Sequence, residues 1–352
     1  MVHGPLHGIA RYALELARRL PHLAPDWQFR ALVPPGGLPD ELGPLRPDLP
    51  QLRARARFLS PLEQPDLAAT LLRARVDLFH ATSFSLPALW PGPLVATLHD
   101  ANHLALPGNY GPAQVAYYRA VVGPRAKTAR ALITISGFSR AELAKHLGLS
   151  PYRLQVIPQG VDERFAPQPR SDVAAFRERL RLPPRFLLAM GSAKPHKNLK
   201  LLAQIADELP LPLVLLAGRG TGQALGFPSS TIDLGELPES DLPLLYAAAE
   251  ALLFPSIYEG FGLPPLEAMA SGCPVIAARG SSLTEVCGEA ALLLDPHSEV
   301  QWRDEISRLC RESQLRRELA EKGRERAARF TWDDCARRTL AVYQRVLAQA
   351  RR

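Results

Sequence analysis

Two glutamates flank a glycine-bearing stretch in the second half of the chain, and their spacing points to ligand chemistry. Glu259 stands directly before Gly260, and Glu267 follows eight residues after Glu259. The apolar run at 251–254 is typical of a buried parallel strand, and the prolines at 264–265 are typical of a helix's first turn. A helix start behind a glycine loop places backbone N–H groups and the positive end of a helix dipole where phosphate binds well. Because carboxylates accept hydrogen bonds from sugar hydroxyls, the stretch favours a diphosphate with a sugar at each end, the shape of a nucleotide-sugar.

A basic loop at 191–199 supplies the positive charge that such a diphosphate needs. It follows a strand-like run and contains Lys194 and Lys197. A lysine at the carboxyl end of a strand can oppose the charge that grows on a leaving nucleoside diphosphate. Lys197 is the main candidate, and either Lys194 or Arg219 is the candidate for a second cation. A solvated basic loop without a ligand is the alternative interpretation.

Two histidines end strand-like runs in the first half of the chain. His99 and His80 each close an apolar segment, where a histidine is often a structural group satisfied within the core. Asp100, next to His99, either orients that imidazole or caps the following turn. Gly8 opens the first predicted helix, and a single glycine at a helix start is a weak signal of a site.

The elements that must position these residues alternate between strands and helices. This alternation indicates doubly wound parallel sheets of the α/β class, and 352 residues suggest two domains. We predict Rossmann-like domains at 1–163 and 171–332, with the helix 333–352 packing back on the first. The segment 163–170 is the predicted linker. A cleft between two such domains is the usual ligand site.

Ten strands and several long helices are expected from the apolar runs. The predicted strands are 29–33, 76–80, 94–99, 131–135, 154–157, 186–190, 213–217, 232–234, 251–254 and 275–278. The predicted helices include 8–20, 67–75, 114–131, 139–147 and 332–349, and 34–50 is predicted to be a loop.

The first predicted helix has no strand before it. Only the Pro- and Gly-bearing segment 1–7 precedes it, whereas an α/β domain usually opens with a strand. We therefore expect that the first strand is missing or that the start codon lies further upstream. An N-terminal extension of about ten residues, enough for one strand and its connection, is expected to raise solubility or stability.

Composition excludes several classes of function. The net charge of +7 suits binding of nucleic acid, anionic membrane or phosphorylated ligands. The sequence shows neither a recognition-helix signature nor the aromatic–basic interleaving of RNA-binding proteins, which disfavours nucleic acid. The four cysteines form no CxxC pair or zinc pattern, which is typical of a reducing cytosol. We expect neither a signal peptide nor a membrane span, and thus a cytoplasmic protein. The basic run at 119–130 is either a solvated face or a peripheral contact with anionic lipid at the inner membrane face.

The motifs resemble those of the retaining glycosyltransferases of family 4 (glycosyl transferases group 1). Residues 255–263, PSIYEGFGL, together with Glu267, match the C-terminal signature of that family, and the match continues through 270–277 and 288–296. Lys197 and Asn198 match the family's basic loop, and the pair at 99–100 matches its HD motif. The resemblance implies the GT-B fold, in which two Rossmann-like domains with parallel sheets face each other across a cleft.

The resemblance also implies roles for individual residues. Glu259 is expected to contact hydroxyls of the transferred sugar, Glu267 to accept the ribose hydroxyls, and His99 to contact the donor sugar. The implied catalytic residues are His99, Glu259 and Lys197. The implied donor-binding residues are Gly8, Gly191, Ser192, Lys194, Arg219, Gly260, Phe261, Gly262, Leu263 and Glu267.

The function implied is transfer of a hexose, of mannose or glucose type, from a nucleoside-diphosphate sugar to a hydroxyl of a glycan or lipid-linked acceptor. No metal and no other cofactor is expected. Many members of the family carry Arg after the glycine at 191, where this chain has Ser192, so the usual Arg–Lys pair is incomplete. The alternative is a non-catalytic sugar-nucleotide-binding relative. A phosphorylase would need a longer chain and a pyridoxal lysine context.

Overall fold

The computed structural model of the protein describes residues 8–37, 49–57, 60 and 62–350. The chain divides into two compact units. The N-terminal unit comprises Met1–Gly160 and Trp332–Arg352, and the C-terminal unit comprises Val161–Thr331. Each unit contains a parallel sheet with helices on its faces, as expected for the α/β class.

The strands of the N-terminal unit form two separate parallel sheets. A two-stranded sheet pairs β1 with β2, and a four-stranded sheet has the order β3-β4-β5-β6. The strands are β1 (Ala31–Val33), β2 (Gln51–Arg53), β3 (Phe79–Ala81), β4 (Leu94–Thr97), β5 (Ala131–Thr134) and β6 (Leu154–Val156). All four residues of β4 are buried, because helices cover both faces of the sheet and an uninterrupted apolar run satisfies both.

Within the described part of this unit, six helices accompany these strands before the chain leaves it. They are α1 (Gly8–Leu23), α2 (Glu63–Ala74), α3 (Asn102–Ala105), α4 (Pro112–Tyr117), α5 (Gly123–Thr128) and α6 (Gly137–Leu147). The apolar stripe of α1 buries Tyr12, Leu16 and Leu20 against the core. α6 begins at a serine cap, in which Ser136 Oγ accepts a hydrogen bond from the Ser139 N–H at 2.9 Å.

The long helix predicted for 114–131 is helical from Pro112 to Thr128, but it ends earlier than predicted and is not α-helical throughout. A π-helical segment at Tyr118–Val122 separates α4 from α5. Pro124 follows two residues after that segment, and a proline in a helix lacks an N–H and clashes with the carbonyl four residues earlier. The wider π-helical turn makes room for the ring.

The C-terminal unit contains one six-stranded parallel sheet in the order β12-β11-β10-β7-β8-β9. The strands are β7 (Leu187–Met190), β8 (Leu213–Leu216), β9 (Ile232–Asp233), β10 (Ala251–Phe254), β11 (Val275–Ala278) and β12 (Leu292–Leu294). β7, β8 and β9 follow one another on one side of the sheet, and β10, β11 and β12 follow one another on the other side of β7. The strand order therefore reverses between β7 and β10, and ligands of such sheets bind outside the carboxyl ends of the strands at this switch point.

Eight helices connect and cover these strands. They are α7 (Arg170–Arg179), α8 (Leu199–Ile205), α9 (Thr221–Leu225), α10 (Leu242–Ala248), α11 (Leu263–Ala270), α12 (Ser281–Cys287), α13 (Glu299–Arg311) and α14 (Ser313–Ala327). Two strands, β2 and β12, are absent from the sequence-based expectations. Both strands are only three residues long, and two of the three residues of β2, Gln51 and Arg53, are exposed.

The segment 163–170 packs on the C-terminal unit. Phe165 is buried, with its ring centroid 5.9 Å from that of Tyr246, and Arg164 Nη2 donates to Glu239 Oε2 at 2.9 Å. These contacts fix the segment to one unit, so the chain passes between the units before it, at Gly160–Val161.

The last helix, α15 (Trp332–Ala350), belongs to the N-terminal unit and lies along α1. Trp332, Ala336 and Val346 join the core that α1 and β4 share, and Arg19 Nε on α1 donates to Asp333 Oδ1 at 2.7 Å. Among the helices that the structure describes, none is both long and apolar enough to cross a membrane.

Candidate functional site

The central contact of the candidate site joins two loops of the C-terminal unit. Lys197 Nζ donates a hydrogen bond to Glu259 Oε1 at 2.6 Å, and the two side chains are only 23% and 13% exposed. Lys197 follows β7, and Glu259 follows β10, which is the neighbouring strand across the switch point. The same ammonium lies 5.9 Å from the centroid of the Phe254 ring. The structure thus brings the predicted cation and the predicted sugar-binding carboxylate into direct contact.

Main-chain hydrogen bonds hold these two loops together beneath the ion pair. The carbonyl oxygen of His196 accepts hydrogen bonds from the Ile257 N–H at 2.8 Å and from Ser256 Oγ at 3.2 Å. The His196 side chain is buried, and burial, with the nearby charge of Lys197 as a second cause, lowers the pKa of its imidazole to about 4. A neutral His196 therefore adds no competing charge to the site at neutral pH.

Asn198 ends the basic loop with a left-handed backbone and a side-chain hydrogen bond. Its backbone has φ of +53°, in the left-handed region that asparagine tolerates better than most residues. Its side-chain Nδ2 donates to the Pro296 carbonyl oxygen at 2.8 Å. Asn198 therefore positions the end of the loop rather than presenting its amide to a ligand.

The glycine loop after Glu259 is shaped for close approach to α12. Gly262 has φ of +103°, and a Cβ added there would lie 2.7 Å from Leu283 Cδ2. Gly260 and Phe261 are buried, and the Phe261 ring packs edge-on against Phe330 at 5.8 Å. Only a glycine at 262 satisfies both the backbone conformation and the available space.

The first turn of α11 offers fewer amide donors than its position suggests. Leu263 is the first helical residue, and Pro264 and Pro265 follow it without backbone N–H groups. The donors left at this helix start are therefore the N–H groups of Gly262 and Leu263. A phosphate here would rest on two amides and on Lys197 rather than on a full helix terminus.

Ser282 supports the glycine loop and was not among the predicted residues. Oγ of this fully buried serine lies 2.8 Å from each of two carbonyl oxygens, those of Glu259 and Phe261, and these two acceptors share its single hydroxyl proton. It lies in α12, directly after β11, the strand next to β10. The serine pair at 281–282 following a strand and a glycine was the only available signal in the sequence.

Glu267 occupies a buried position on α11. Its Oε2 accepts a hydrogen bond from Tyr246 Oη at 3.1 Å. Tyr246 is itself fully buried on α10 and is a second residue that the sequence pattern did not identify. The tyrosine fixes the orientation of the carboxylate, which has several further lone pairs for a ligand.

The other predicted donor-binding residues of this unit lie in the loops after β7 and β8. Gly191 directly follows β7, where an added Cβ would lie 3.2 Å from Leu199 Cδ1. Ser192 is half-buried, whereas Lys194 is exposed. Arg219 is also exposed and stands between two glycines with positive φ, 218 and 220. Because β8 neighbours β7, both loops emerge at the same sheet edge as Lys197.

In the N-terminal unit, His99 is buried in a defined orientation. Nε2 lies 2.9 Å from the Thr82 carbonyl oxygen, so Nε2 carries the proton and donates. Nδ1 lies 3.4 Å from Gln159 Nε2, and the Tyr12 ring packs edge-on at 4.9 Å. Asp100 Oδ1 accepts a hydrogen bond from the Asn102 N–H at 3.0 Å, so this carboxylate caps the start of α3.

His80 belongs to the core of the N-terminal unit. Its Nε2 lies 2.7 Å from Thr97 Oγ1, its Nδ1 is hydrogen-bonded to Tyr343 Oη, and Thr97 Oγ1 lies 2.9 Å from Tyr12 Oη. Burial, with the neighbouring His99 as a second cause, lowers the pKa of His80 to about 3. The network ties α1, β3, β4 and α15 together, which is the structural role that a histidine at a strand end often has.

The structure therefore gathers most of the predicted residues around a single sheet edge. Lys197, Glu259 and the glycines at 260 and 262 lie in loops that contact each other, and Glu267 is on the helix that follows. Gly8, the first residue of α1, and His99 lie in the N-terminal unit. A cation, two amides and two carboxylates at a switch point suit a ligand that combines phosphate with hydroxyl groups.

Comparison with known proteins shows the family and the fold. A family model described as Glycosyltransferase Family 4 matches residues 6–165, and one described as Glycosyl transferases group 1 matches residues 172–326. The chain is 29% identical to O-antigen chain mannosyltransferase B of Escherichia coli, over 97% of this chain and 96% of that protein. It is 32% identical to the MMP alpha-(1->4)-mannosyltransferase of Mycolicibacterium hassiacum, over 62% of this chain and 54% of that protein. Among solved structures, HepE of Anabaena in complex with UDP and glucose has a TM-score of 0.78 at 20% identity, covering 98% of each chain.

Proposed function

Because the chain belongs to the family 4 (group 1) glycosyltransferases and has their GT-B fold, we propose that it is a retaining enzyme that transfers a hexose from a nucleoside-diphosphate sugar to a hydroxyl group. The observation that carries this proposal is the contact between Lys197 and Glu259 at the switch point of the C-terminal sheet. Lys197 suits the diphosphate and Glu259 suits the sugar. The bond between the sugar and the diphosphate, which is the one that reacts, would therefore lie next to this pair.

Lys197 is proposed to stabilise the leaving group. Negative charge grows on the diphosphate as the glycosidic bond breaks, and a fixed ammonium in a partly desolvated loop stabilises that charge more than bulk water does. Its neighbour Glu259 and the ring of Phe254 hold the ammonium in place before the donor arrives. The amides of Gly262 and Leu263 add two donors for the phosphate oxygens.

The two carboxylates are proposed to recognise opposite ends of the donor. Glu259 would accept hydrogen bonds from the transferred hexose, while its Oε1 keeps the contact with Lys197. Glu267 would accept the ribose hydroxyls, with Tyr246 holding the carboxylate in the required orientation. Because a carboxylate repels phosphate, neither carboxylate would bind the diphosphate. Each would select a donor by the positions of the sugar hydroxyls that reach it.

Retention of the anomeric configuration requires that the acceptor attack from the face that the phosphate leaves. In this scheme the acceptor oxygen bonds to the anomeric carbon, the bond from that carbon to the phosphate oxygen breaks, and the acceptor proton passes to the departing phosphate. No side chain serves as a nucleophile in this scheme. Lys197 and the amides of Gly262 and Leu263 would stabilise the charge of the diphosphate, and we therefore expect no metal requirement.

A hexose of mannose or glucose type is the proposed donor sugar. Two relatives are named as mannosyltransferases, and HepE was solved with UDP and glucose. A glycan or lipid-linked acceptor is proposed on the same ground, since one relative is named for the O-antigen chain. Contact with a membrane surface and the roles of Gly8 and His99 stay predictions.

The decisive experiment has a binding arm and a turnover arm. Thermal-shift titrations with UDP, GDP, ADP and their hexose conjugates identify the base and the sugar. Release of free hexose from the best donor is then followed in wild type and in Glu259→Gln, with NMR of the released or transferred sugar to report the anomer first formed. Slow hydrolysis that is lost in the variant, with retained configuration, supports the enzyme.

The alternative is a sugar-nucleotide-binding protein without turnover, which Ser192 keeps open because the usual arginine is missing after Gly191. It predicts saturable donor binding in wild type, with no hexose released to water or to any glycan acceptor tested. Inverted product would leave the transferase assignment intact and refute the retaining mechanism.

A further inference from the structure

Ser281 combines a strained backbone with a buried hydroxyl that lacks a partner. Its φ is +47°, in the left-handed region that serine rarely adopts. Its Oγ is buried and has no hydrogen-bond partner among the residues that the structure describes. No other residue in the described part of the chain has both features. Buried hydroxyls are nearly always hydrogen-bonded, and backbone strain of this kind clusters at functional sites.

Three other non-glycine residues of the described chain have positive φ, and each has an ordinary explanation. Arg75 ends α2 and Arg181 stands just past the end of α7, where a left-handed residue commonly terminates a helix. Asn198 is of a residue type that tolerates this conformation. Ser281 instead opens α12, so helix termination does not account for its backbone.

Hydrogen bonds on both sides hold Ser281 in this conformation. The Gly280 N–H donates to Thr284 Oγ1 at 3.0 Å, and the Thr284 N–H donates to the Gly280 carbonyl oxygen at 3.3 Å. On the other side, Ser282 Oγ lies 2.8 Å from the Glu259 carbonyl oxygen. Because both neighbours are tied to other groups, the strain at Ser281 is enforced by its surroundings.

The loop that contains Ser281 belongs to the candidate donor site. It follows β11, and β11 lies next to β10, the strand that leads to Glu259. The strand that leads to Lys197, β7, lies on the other side of β10. The carboxyl ends of parallel strands share one edge of a sheet. Three neighbouring loops therefore bring a cation, a carboxylate and a hydroxyl to that edge, in this order.

We propose that the Ser281 hydroxyl binds a hydroxyl group of the transferred hexose. The proposal rests on the proposed function, in which Lys197 meets the diphosphate and Glu259 meets the hexose. Ser281 comes from the loop beyond Glu259, on the side away from Lys197, and thus on the hexose side of the site. A serine hydroxyl both donates and accepts hydrogen bonds, as a sugar hydroxyl does, so the two groups can pair in either direction.

A change of one side-chain rotamer gives this hydroxyl access to a ligand. Ser281 as a whole is half-buried, although its Oγ is buried. Rotation about the Cα–Cβ bond moves Oγ between three staggered positions, while Gly280 and Ser282 keep the backbone fixed. No hydrogen bond to a described residue has to break for this rotation, and the bond gained with the sugar favours it.

Two possible roles of the hydroxyl have opposite consequences for stability. A hydroxyl bonded to an ordered water inside the fold stabilises the protein, and its removal lowers the melting temperature. A hydroxyl kept for a ligand contributes no hydrogen bond until the ligand binds. Its removal leaves the melting temperature of the free protein unchanged or higher, because a buried polar group without a partner is costly.

The test uses two substitutions that both remove the hydroxyl. Ser281→Ala keeps the Cβ and therefore the strain, whereas Ser281→Gly also relieves the strain. Thermal unfolding of the full chain without ligand is measured for both variants and for wild type. Calorimetric titrations with GDP-mannose and GDP, and with UDP-glucose and UDP, then give the affinity for each nucleotide with and without its hexose.

Both variants are expected to bind the nucleotide-sugar about three- to tenfold more weakly than wild type, the loss that one neutral hydrogen bond predicts. Their affinity for the nucleoside diphosphate alone should stay within about twofold of wild type, because the hydroxyl does not contact the diphosphate. Without ligand, Ser281→Ala should melt no lower than wild type, and Ser281→Gly should melt about 2–4 °C above Ser281→Ala. Equal weakening in the two variants assigns the effect to the hydroxyl, because only the glycine variant changes the backbone.

Four results would overturn the proposal. A melting temperature of Ser281→Ala more than about 2 °C below that of wild type, without ligand, would assign the hydroxyl to the fold. Equal weakening of nucleotide-sugar and nucleoside diphosphate would place the hydroxyl at the diphosphate. Unchanged affinity in both variants, with wild type binding a nucleotide-sugar, would refute the contact with Ser281 and leave the proposed function intact. Wild type that binds neither nucleotide-sugar would refute the proposed function, and this inference with it.

Discussion

Lys197 Nζ lies 2.6 Å from Glu259 Oε1, and this contact joins the loops that follow β7 and β10 across the point where the strand order reverses. The pair is mostly withdrawn from water. Removing one partner from such a pair leaves the other charge partly buried and uncompensated. A substitution at either residue therefore changes both the stability of the two loops and the binding of any ligand, and the experiments must measure these separately.

Lys197→Met is expected to lower kcat by about 10²–10³-fold, the range found when one donor to a developing negative charge is removed. The measurement is steady-state transfer, or hydrolysis of the donor identified by thermal shift. Lys197→Arg keeps the charge and serves as the matched control, with a smaller loss. An unchanged kcat in Lys197→Met, with folding intact by circular dichroism, would contradict the assigned role.

Sequence alone placed Lys197 and Glu259 at the same sheet edge but did not predict that they touch. Parallel strands put their carboxyl ends together, so two loops after strands with clear apolar patterns could be assigned to one site. Contact distances depend on which strands are neighbours. β7 and β10 are neighbours although two strands and their helices separate them in the chain, and only the structure shows this order.

The supporting residues were missed for a related reason. Ser282 and Tyr246 are common residue types without a motif, and their function lies in which carbonyl or carboxylate they reach. Strands with strong apolar runs, such as β10 and β11, were predicted with their observed bounds. The three-residue strand β2 was not predicted, although polar and apolar residues alternate through 51–57. Leu52 is the only large apolar residue of that run, and alanine is depleted in strands.

Gly262→Ala is expected to destabilise the protein by about 2–4 kcal/mol. The substitution forces a left-handed backbone on alanine and drives its Cβ to 2.7 Å from Leu283 Cδ2. Gly226→Ala is the matched control, since Gly226 also has positive φ but has open space around its Cβ position. Urea unfolding of both variants should show the larger loss at 262. Equal losses would mean that the contact with Leu283 relaxes without cost.

His80 is expected to make stability depend on pH below neutrality. Its pKa is lowered from 6.5 to about 3 in the folded protein, so between these values the unfolded chain binds a proton that the folded chain does not. The stabilising contribution is complete above pH 6.5 and is lost as the pH falls, with a slope of about 1.4 kcal/mol per pH unit. His80→Gln should reduce the slope of unfolding free energy against pH, measured from pH 6 to 4.

Tyr343→Phe provides the control for this pH effect. It removes the hydroxyl that bonds to His80 Nδ1 but leaves the imidazole buried. A general loss of stability in Tyr343→Phe with the slope retained would assign the slope to protonation of His80. If His80→Gln keeps the wild-type slope, another group is responsible, and His196, with its pKa lowered to about 4, is the first to test.

Activity is expected to persist in excess EDTA. Lys197 and the two amides at the start of α11 are proposed to meet the charge of the leaving diphosphate, so removing divalent cations should change kcat by less than about twofold, well below the loss expected for Lys197→Met. The assay compares EDTA-treated enzyme with enzyme supplied with Mg²⁺ or Mn²⁺. Loss of turnover in EDTA that either metal restores would contradict this prediction.

Glu267 is expected to distinguish a ribonucleotide from its 2′-deoxy analogue. A site built around a buried carboxylate that accepts a ribose hydroxyl should bind the deoxy form about tenfold or more weakly, since one hydrogen bond to a charged group contributes about 1.5–3 kcal/mol. Glu267→Gln should reduce this ratio, and Tyr246→Phe should reduce it less, because the tyrosine orients the carboxylate at 3.1 Å without contacting the ligand. Calorimetric titration of each protein with both nucleotides gives the ratio independently of turnover. If wild type binds both forms equally, Glu267 does not hold the ribose, and its hydrogen bond from Tyr246 would then serve only to join α10 to α11.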